Sequence, residues 1–208
     1  MHRVVEPKIL YFGTPVVLIS TQNEDGSANL APMSSAWWLD QSCMLGMSSR
    51  SQTIQNLLRT KECVLNLPSA EQVDVVDRLA LFTGRNPVPE RKAKQGYRYE
   101  PDKFVLARLT PTPSDLVSPP RAAECPVQME AVVERHHPIG DDALIAVEVR
   151  IIRVHLDERL LMDGAKNYID PEKWRPLIMS FCEFYGLGGQ LQPSRLATIF
   201  RPTPETVG

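Results

Sequence analysis

The sequence predicts a mainly β chain, an antiparallel barrel with helical excursions, on three observations. Apolar β-branched runs are punctuated by tight-turn signals, the clearest being Asp25-Gly26 between Val16–Thr21 and the strand-like Asn29–Leu39. An Asp-Gly pair supplies the positive φ that a hairpin turn needs. The segments Val127–Arg135 and Ala143–His155 alternate apolar and polar residues as a long hairpin does, around His136-His137-Pro138-Ile139-Gly140-Asp141-Asp142. The 18 prolines are scattered along the chain, which marks many short connections and argues against a doubly wound sheet. At 208 residues the chain reads as a single domain, 1–208, with an ample core.

The elements follow in order. Pro32 cannot donate to a ladder, so the returning strand is expected to break or lie at an edge there. Asp40-Gln41-Ser42 turns the chain, and Cys43–Met47 makes the next strand. Ile54, Leu57 and Leu58 fall at i, i+3, i+4 and predict an amphipathic helix from Gln52 to Thr60, with Ser51 as its N-cap. Cys63–Leu67 is a further strand. Ser69–Leu81 reads as a second helix, where Ser69 and Gln72 have capping-box spacing and Glu71 suits the first turn. Thr83–Pro89 ends it. Glu90–Arg98, with Arg91, Lys92, Lys94 and Arg98, reads either as a solvated basic excursion or as a patch for a nicotinamide-nucleotide phosphate. Leu109–Pro120 is proline-rich and extended.

The window from Cys43 to Thr53 carries the most chemistry. An apolar strand runs into Ser48, Ser49, Arg50 and Ser51, then into a helix whose start holds Thr53. Such a helix N-terminus offers an anion free amides, the positive dipole end and a fork donor. The same residues also suit an ordinary capped helix with a solvated Arg50.

Other chemistries lack their residues. A formal net charge of -2 gives no basic field, so neither nucleic acid nor an anionic membrane is an expected partner. No apolar run approaches the roughly 18 residues of a membrane span, and Met1–Glu6 lacks a signal-peptide core, so a cytoplasmic protein is expected. Cys43, Cys63, Cys125 and Cys182 have neither metal-ligand nor redox spacing and read as buried, reduced thiols. His136 and His137 have no third partner, and no metal is expected. There is no Gly-x-Gly-x-x-Gly after a strand and no P-loop; Gly186-Leu187-Gly188-Gly189 lacks the spacing, and Ser34-Ser35 lacks the glycines of a nucleophile elbow. Any hydride chemistry therefore belongs to a cofactor that the protein orients.

The succession Asp25-Gly26, Asn29-Leu30-Ala31-Pro32-Met33-Ser34, Gly46-Met47-Ser48-Ser49-Arg50, Thr53, Cys63-Val64-Leu65-Asn66-Leu67-Pro68 resembles the flavin reductase-like, FMN-binding split-barrel proteins, flavoredoxin-type members included. Asp102-Lys103-Phe104 and Ala123–Glu130 extend the match, which runs from Pro7 to Ala131 and loosens after Pro176-Leu177. The resemblance implies a split antiparallel (Greek-key) β-barrel that binds FMN non-covalently at a homodimer interface. It implies that Asn29, Ala31, Pro32, Met33 and Ser34 line the isoalloxazine edge, while Ser48, Ser49, Arg50 and Thr53 clamp the ribityl phosphate. It also implies an NAD(P)H-dependent flavin reductase, moving hydride from NADH or NADPH to flavin N5. The alternative is a flavoredoxin-type FMN electron carrier with no pyridine nucleotide site. No acid–base residue is nominated. Trp37 and Trp38 point to opposite faces of a strand, so one is core and the other is free for the flavin or a second subunit. With Leu39, Phe181, Phe184, Tyr185 and Leu187 they form an apolar surplus that suits a dimer interface.

Overall fold

Strands β1 (Phe12–Pro15), β2 (Val17–Gln22) and β3 (Ala28–Met33) open the chain, and Gly26 at φ 84° makes the turn between the last two. The computed structural model describes residues 1–140 and 143–200. There follow β4 (Ala36–Leu39), β5 (Ser42–Ser48), α1 (Gln52–Thr60), β6 (Glu62–Leu67) and α2 (Val73–Leu79). Short elements come next: β7 (Phe82–Thr83), α3 (Glu90–Lys94), β8 (Arg98–Tyr99), α4 (Lys103–Ala107), β9 (Pro111–Thr112) and β10 (Arg121–Ala122). The long hairpin β11 (Val127–Ile139) and β12 (Leu144–Leu156) precedes β13 (Leu177–Ser180), β14 (Glu183–Gly186) and α5 (Ala197–Phe200).

Seven strands form one antiparallel sheet in the order β3-β2-β6-β11-β12-β5-β4. Its two edges, β3 and β4, are consecutive in the chain and separated by Ser34-Ser35 alone. Three residue steps span at most roughly 11 Å, so the sheet must curl until its edges nearly meet. The result is a barrel with one open seam. Ser35 extends the β4–β5 ladder by one step, accepting a hydrogen bond from the Gly46 amide at 2.7 Å. Pro32 sits on an edge strand, where a missing N–H is tolerated; the chain leaves the ladder one residue later, after Met33.

Strand alternation explains why Val16–Ile19 is apolar throughout. Val17 and Ile19 enter the barrel core with Leu45, Met47, Ile54, Leu65, Val147 and Val149. Val16 and Leu18 face a second core against α2 and α4, with Leu30, Val76, Leu79, Phe104 and Ala107. A strand buried on both faces reads as a continuous hydrophobic run. Among the described residues no helix is long and apolar enough to cross a membrane.

Several expectations need correction. The long hairpin does not turn at His136: β11 continues to Ile139, pairing His136 with Val147 and His137 with Ala146, so both histidines are exposed strand residues. Cross-strand pairing extends the ladder past the polar residues that suggested a turn; Asp141 and Asp142 lie outside the described residues. The second helix splits into a short 3-10 turn (Ala70–Gln72) and α2, with Gln72 Oε1 accepting from the Ser69 amide at 2.9 Å. Cys43, Cys63 and Cys125 are buried, but Cys182 is exposed, at φ 67° in the β13–β14 turn. Burial pushes the Cys43 and Cys125 thiols up to about 12, and raises Cys63 as well, so all three stay neutral. Trp38 packs against the barrel core, and Trp37 stands 56% exposed.

Candidate functional site

The site grows from the start of α1. Ser51 caps the helix, its Oγ accepting from the Ile54 amide at 3.2 Å. The Gln52 and Thr53 amides, ahead of the first intrahelical bond, have no acceptor among the described residues and are left for a ligand. Ile54 and Leu57 anchor one side in the barrel core, and Thr53 and Asn56 are buried beside them. A hydrogen-bond network holds these polar residues. Asn56 Nδ2 donates to Thr21 Oγ1 at 3.0 Å and to Asn23 Oδ1 at 2.8 Å, and Gln52 Nε2 donates to Asn56 Oδ1 at 3.0 Å. Asn29 Nδ2 donates to Thr21 Oγ1 at 3.1 Å and Thr53 Oγ1 at 3.2 Å, which leaves Asn29 Oδ1 as an acceptor.

That acceptor takes Lys103 Nζ at 3.2 Å. Lys103 is only 3% exposed and has no ion-pair partner among the described residues. Burial pushes its amine down to about 8; the positive charge of Lys92 adds to this and Glu100 opposes it. A buried cation with one neutral acceptor is costly unless an anion joins it. Gly84 closes the arrangement, because a Cβ there would lie 2.5 Å from Asn29 Oδ1. No side chain fits at that position without displacing Asn29.

These groups surround a cavity of about 160 Å³, walled by Ala31, Pro32, Met33, Ser48, Ser51, Gln52, Thr53 and Lys103, with Phe82, Thr83, Gly84, Lys92 and Tyr97 opposite. Five hydroxyl side chains, two lysines and a helix N-terminus make it suited to an anionic group. Beyond Pro32 and Met33 lies an apolar cavity of about 180 Å³, formed with Val16, Ser34, Val76, Ala80, Met179 and Phe184. The two cavities share Pro32, Met33 and Ala80. Beside the first of them opens a cleft of about 450 Å³ between Ser49-Arg50, Gln55 and Arg85–Glu90.

The structure thus brings together Ala31, Pro32, Met33, Ser48 and Thr53 around one cavity. Asn29 stands behind it as the support of Lys103, and Ser34 belongs to the apolar neighbour. Ser49 and Arg50 do not line the first cavity. Ser49 Oγ donates to the Ala143 carbonyl at 3.2 Å, and Arg50 stands exposed in the outer cleft. The basic stretch 90–98 is not wholly solvated either: Lys92 packs over the Tyr97 ring at 5.1 Å, and both line the cavity. Lys103, Tyr97 and Gly84 are residues around this cavity that sequence reasoning did not nominate, and Lys92 was read only as part of a solvated excursion or a nicotinamide-nucleotide phosphate patch. A local signal existed for one of them. Lys103 lies four residues before the buried Ala107, hence on the buried face of α4.

A separate cluster of titratable groups lies on the far strands. Glu130, fully buried, accepts from the Asp115 amide at 2.9 Å, the Leu116 amide at 2.6 Å and His155 Nε2 at 2.6 Å, while Asp115 pairs with Arg153. Burial raises the Glu130 pKa, but these hydrogen bonds outweigh it and hold the carboxyl below its ordinary range. It clips the proline-rich loop to the sheet.

Comparison with known proteins agrees with this architecture. An uncharacterised Bacillus subtilis (strain 168) protein, YdfE, is 39% identical over 188 residues, covering 90% of each chain. The flavoredoxin of Desulfovibrio vulgaris (Miyazaki F) superposes with a TM-score of 0.76 at 23% identity, covering 95% of this chain and 100% of that one. Nitrilotriacetate monooxygenase component B from Bacillus cereus superposes with a TM-score of 0.71 at 23% identity, covering 88% of each. These neighbours establish the split-barrel fold. Residues 9–170 match the family described as flavin reductase like domain, and the chain belongs to that family of flavin-related oxidoreductases.

Proposed function

We propose that this protein is an NAD(P)H-dependent flavin reductase that binds FMN in the groove formed by the polar and apolar cavities. The observation that carries this reading is Lys103, a buried cation facing a cavity at a helix N-terminus with no ion-pair partner among the described residues. The residues present fit a flavin mononucleotide. Lys103, Lys92, Ser48, Ser51, Thr53 and the first-turn amides of α1 suit one phosphate. Pro32 and Met33, with Val76, Met179 and Phe184, suit a flat apolar ring. Strand β3 is a sheet edge, so half of its backbone groups are free to meet the polar rim of such a ring. A bound flavin supplies the capacity to take hydride from a reduced nicotinamide. The chain's own task is to seat it, exclude water from its phosphate end and leave its outer face open.

A homodimer belongs to the same proposal. Phe12, Trp37, Leu39, Tyr185 and Leu187 are all more than half exposed. β1 lies against β4, Phe12 stacks edge-on with Phe181 at 4.8 Å, and a monomer would leave this apolar face in water. Light scattering of the flavin-loaded protein checks this, with a dimer expected. The cofactor is tested by flavin fluorescence titration. Micromolar or tighter FMN binding, stronger than that of FAD, is expected, and no binding of either flavin ends the proposal. Anaerobic mixing with NADH or NADPH then tests the enzyme reading: bleaching well above the rate for free FMN supports it. A bound flavin reduced only by dithionite or a protein donor moves the assignment to an electron carrier.

A further inference from the structure

The outer cleft holds charge that the flavin site does not use. Arg50 and Arg85 flank about 450 Å³ of space walled by Ser49, Gln55 and the neutral Asn86–Pro89 segment. Neither guanidinium has an ion-pair partner among the described residues, and Arg85 Nη1 is steadied by Gln55 Oε1. Among the described residues that line it the one acid is Glu90, which pairs with Lys94 at 2.6 Å. The chain as a whole carries a formal charge of -2, so this concentration of cations is local. The cleft adjoins the polar cavity through consecutive residues: Ser48 lines one and Ser49 the other, Gly84 one and Arg85 the other. An anionic ligand in each would be a neighbour of the other.

Resting on the flavin reductase reading above, we propose that the Arg50–Arg85 cleft recognises the 2′-phosphate of a reduced nicotinamide nucleotide and makes NADPH the preferred donor over NADH. The flavin phosphate already has its counter-charges in Lys103 and Lys92, so the two arginines are left for a second phosphate. A phosphomonoester carries close to two charges at neutral pH, which two fork-shaped guanidiniums match better than they match a singly charged diester. The cleft volume falls within the range of small-molecule sites. The neutral wall from Asn86 to Pro89 gives a sugar or base a surface without a competing acid.

Equilibrium calorimetry on the FMN-loaded protein decides this without turnover, using adenosine 2′,5′-bisphosphate and 5′-AMP as probes. The wild type should bind the bisphosphate at least about tenfold more tightly, the size of one or two charge-assisted contacts at an open site. Equal affinities overturn the inference, whatever any variant does. Arg85→Ala should bring the two affinities within about threefold of each other, and Arg85→Lys should keep part of the preference because charge survives without the fork. If Arg85→Ala instead weakens FMN binding and spares riboflavin, Arg85 serves the flavin phosphate and the inference falls. Anaerobic flavin reduction separates the two levels of argument. If neither nucleotide reduces the flavin, the reductase reading fails. If both do so with equal kcat/KM, the reading stands and the NADPH preference is refuted.

Discussion

The two cationic regions beside α1 hold the same sign of charge under opposite physical conditions. Lys103 is buried, bonded to Asn29 and fixed by a network reaching Thr21 and Thr53. Arg50 is exposed, with no side-chain partner among the described residues. A buried cation is weakly screened and strongly coupled to any anion that reaches it, whereas an exposed one is screened by salt and hydrated whether or not a ligand is present. On the proposed reading, the inner region therefore sets whether a phosphorylated ligand binds, and the outer region adjusts which one.

The largest effect should follow from removing the inner charge while keeping the volume. Lys103→Met ought to weaken FMN binding about a hundredfold, the upper range for a charged hydrogen bond in a desolvated site. Riboflavin, which lacks the phosphate, should lose less than about threefold. Fluorescence titration of both flavins reads the difference. Equal losses would mean that Lys103 supports the pocket wall and does not meet the phosphate.

A smaller effect should come from the support behind it. Gly84→Ala places a methyl 2.5 Å from Asn29 Oδ1, so Asn29 must shift and Lys103 loses its acceptor. FMN affinity should fall about ten- to thirtyfold, with a loss of roughly 1–3 kcal/mol in stability from overpacking. Melting and titration of the same sample separate the two consequences. An unchanged FMN-to-riboflavin ratio would show that the amine keeps its place without Asn29.

Much of the frame behind this comparison was legible in the sequence. Asp25-Gly26, the period of Ile54, Leu57 and Leu58, and the alternation in the long hairpin are local signals, and local signals set local elements. Ala31–Met33, which the resemblance set at the ring edge, and Ser48 and Thr53, which it set at the phosphate, line one cavity, because a strand edge and a helix start form it. Lys103 and Gly84 reach the site through the packing of α4 on β3 and the approach of Gly84 to Asn29; the period of α4 turns Lys103 inward, but no local pattern says which partner it meets. Arg50 lies outside that cavity for the converse reason. Its neighbours Ser48 and Ser51 face the cavity, but the turn between them sends the intervening residues outward.

Acid–base titration should then separate the regions by a moderate factor. Lys103 is held near 8, below the ordinary lysine value of 10.5, by burial and by Lys92. In the folded, ligand-free protein it releases its proton first, so the unfolded chain binds more protons between these values. Stability of the ligand-free form should rise from pH 8 towards 10.5, by up to about 3 kcal/mol. Anion binding needs the protonated amine and runs the other way, so FMN affinity should drop about tenfold between pH 7 and pH 9 while riboflavin affinity stays level. Lys103→Met should abolish both slopes. Persistence of the affinity slope in that variant would assign it to Lys92, the other lysine lining the cavity.

The smallest effect is expected at Arg50, and it is the one most able to collapse the comparison. If Arg50 keeps to the outer cleft, Arg50→Ala should weaken FMN by no more than about threefold at low salt, the size of a solvent-exposed charge contact. That residue of an effect should vanish in 1 M salt, where the screening length is about 3 Å. The Lys103→Met penalty should survive the same salt, since few mobile ions reach a buried amine. A loss of tenfold or more on Arg50→Ala, unchanged by salt and absent for riboflavin, would show the guanidinium turning inward onto the flavin phosphate when ligand arrives. The two regions would then be one clamp, and the outer cleft would have Arg85 alone with which to select a nucleotide.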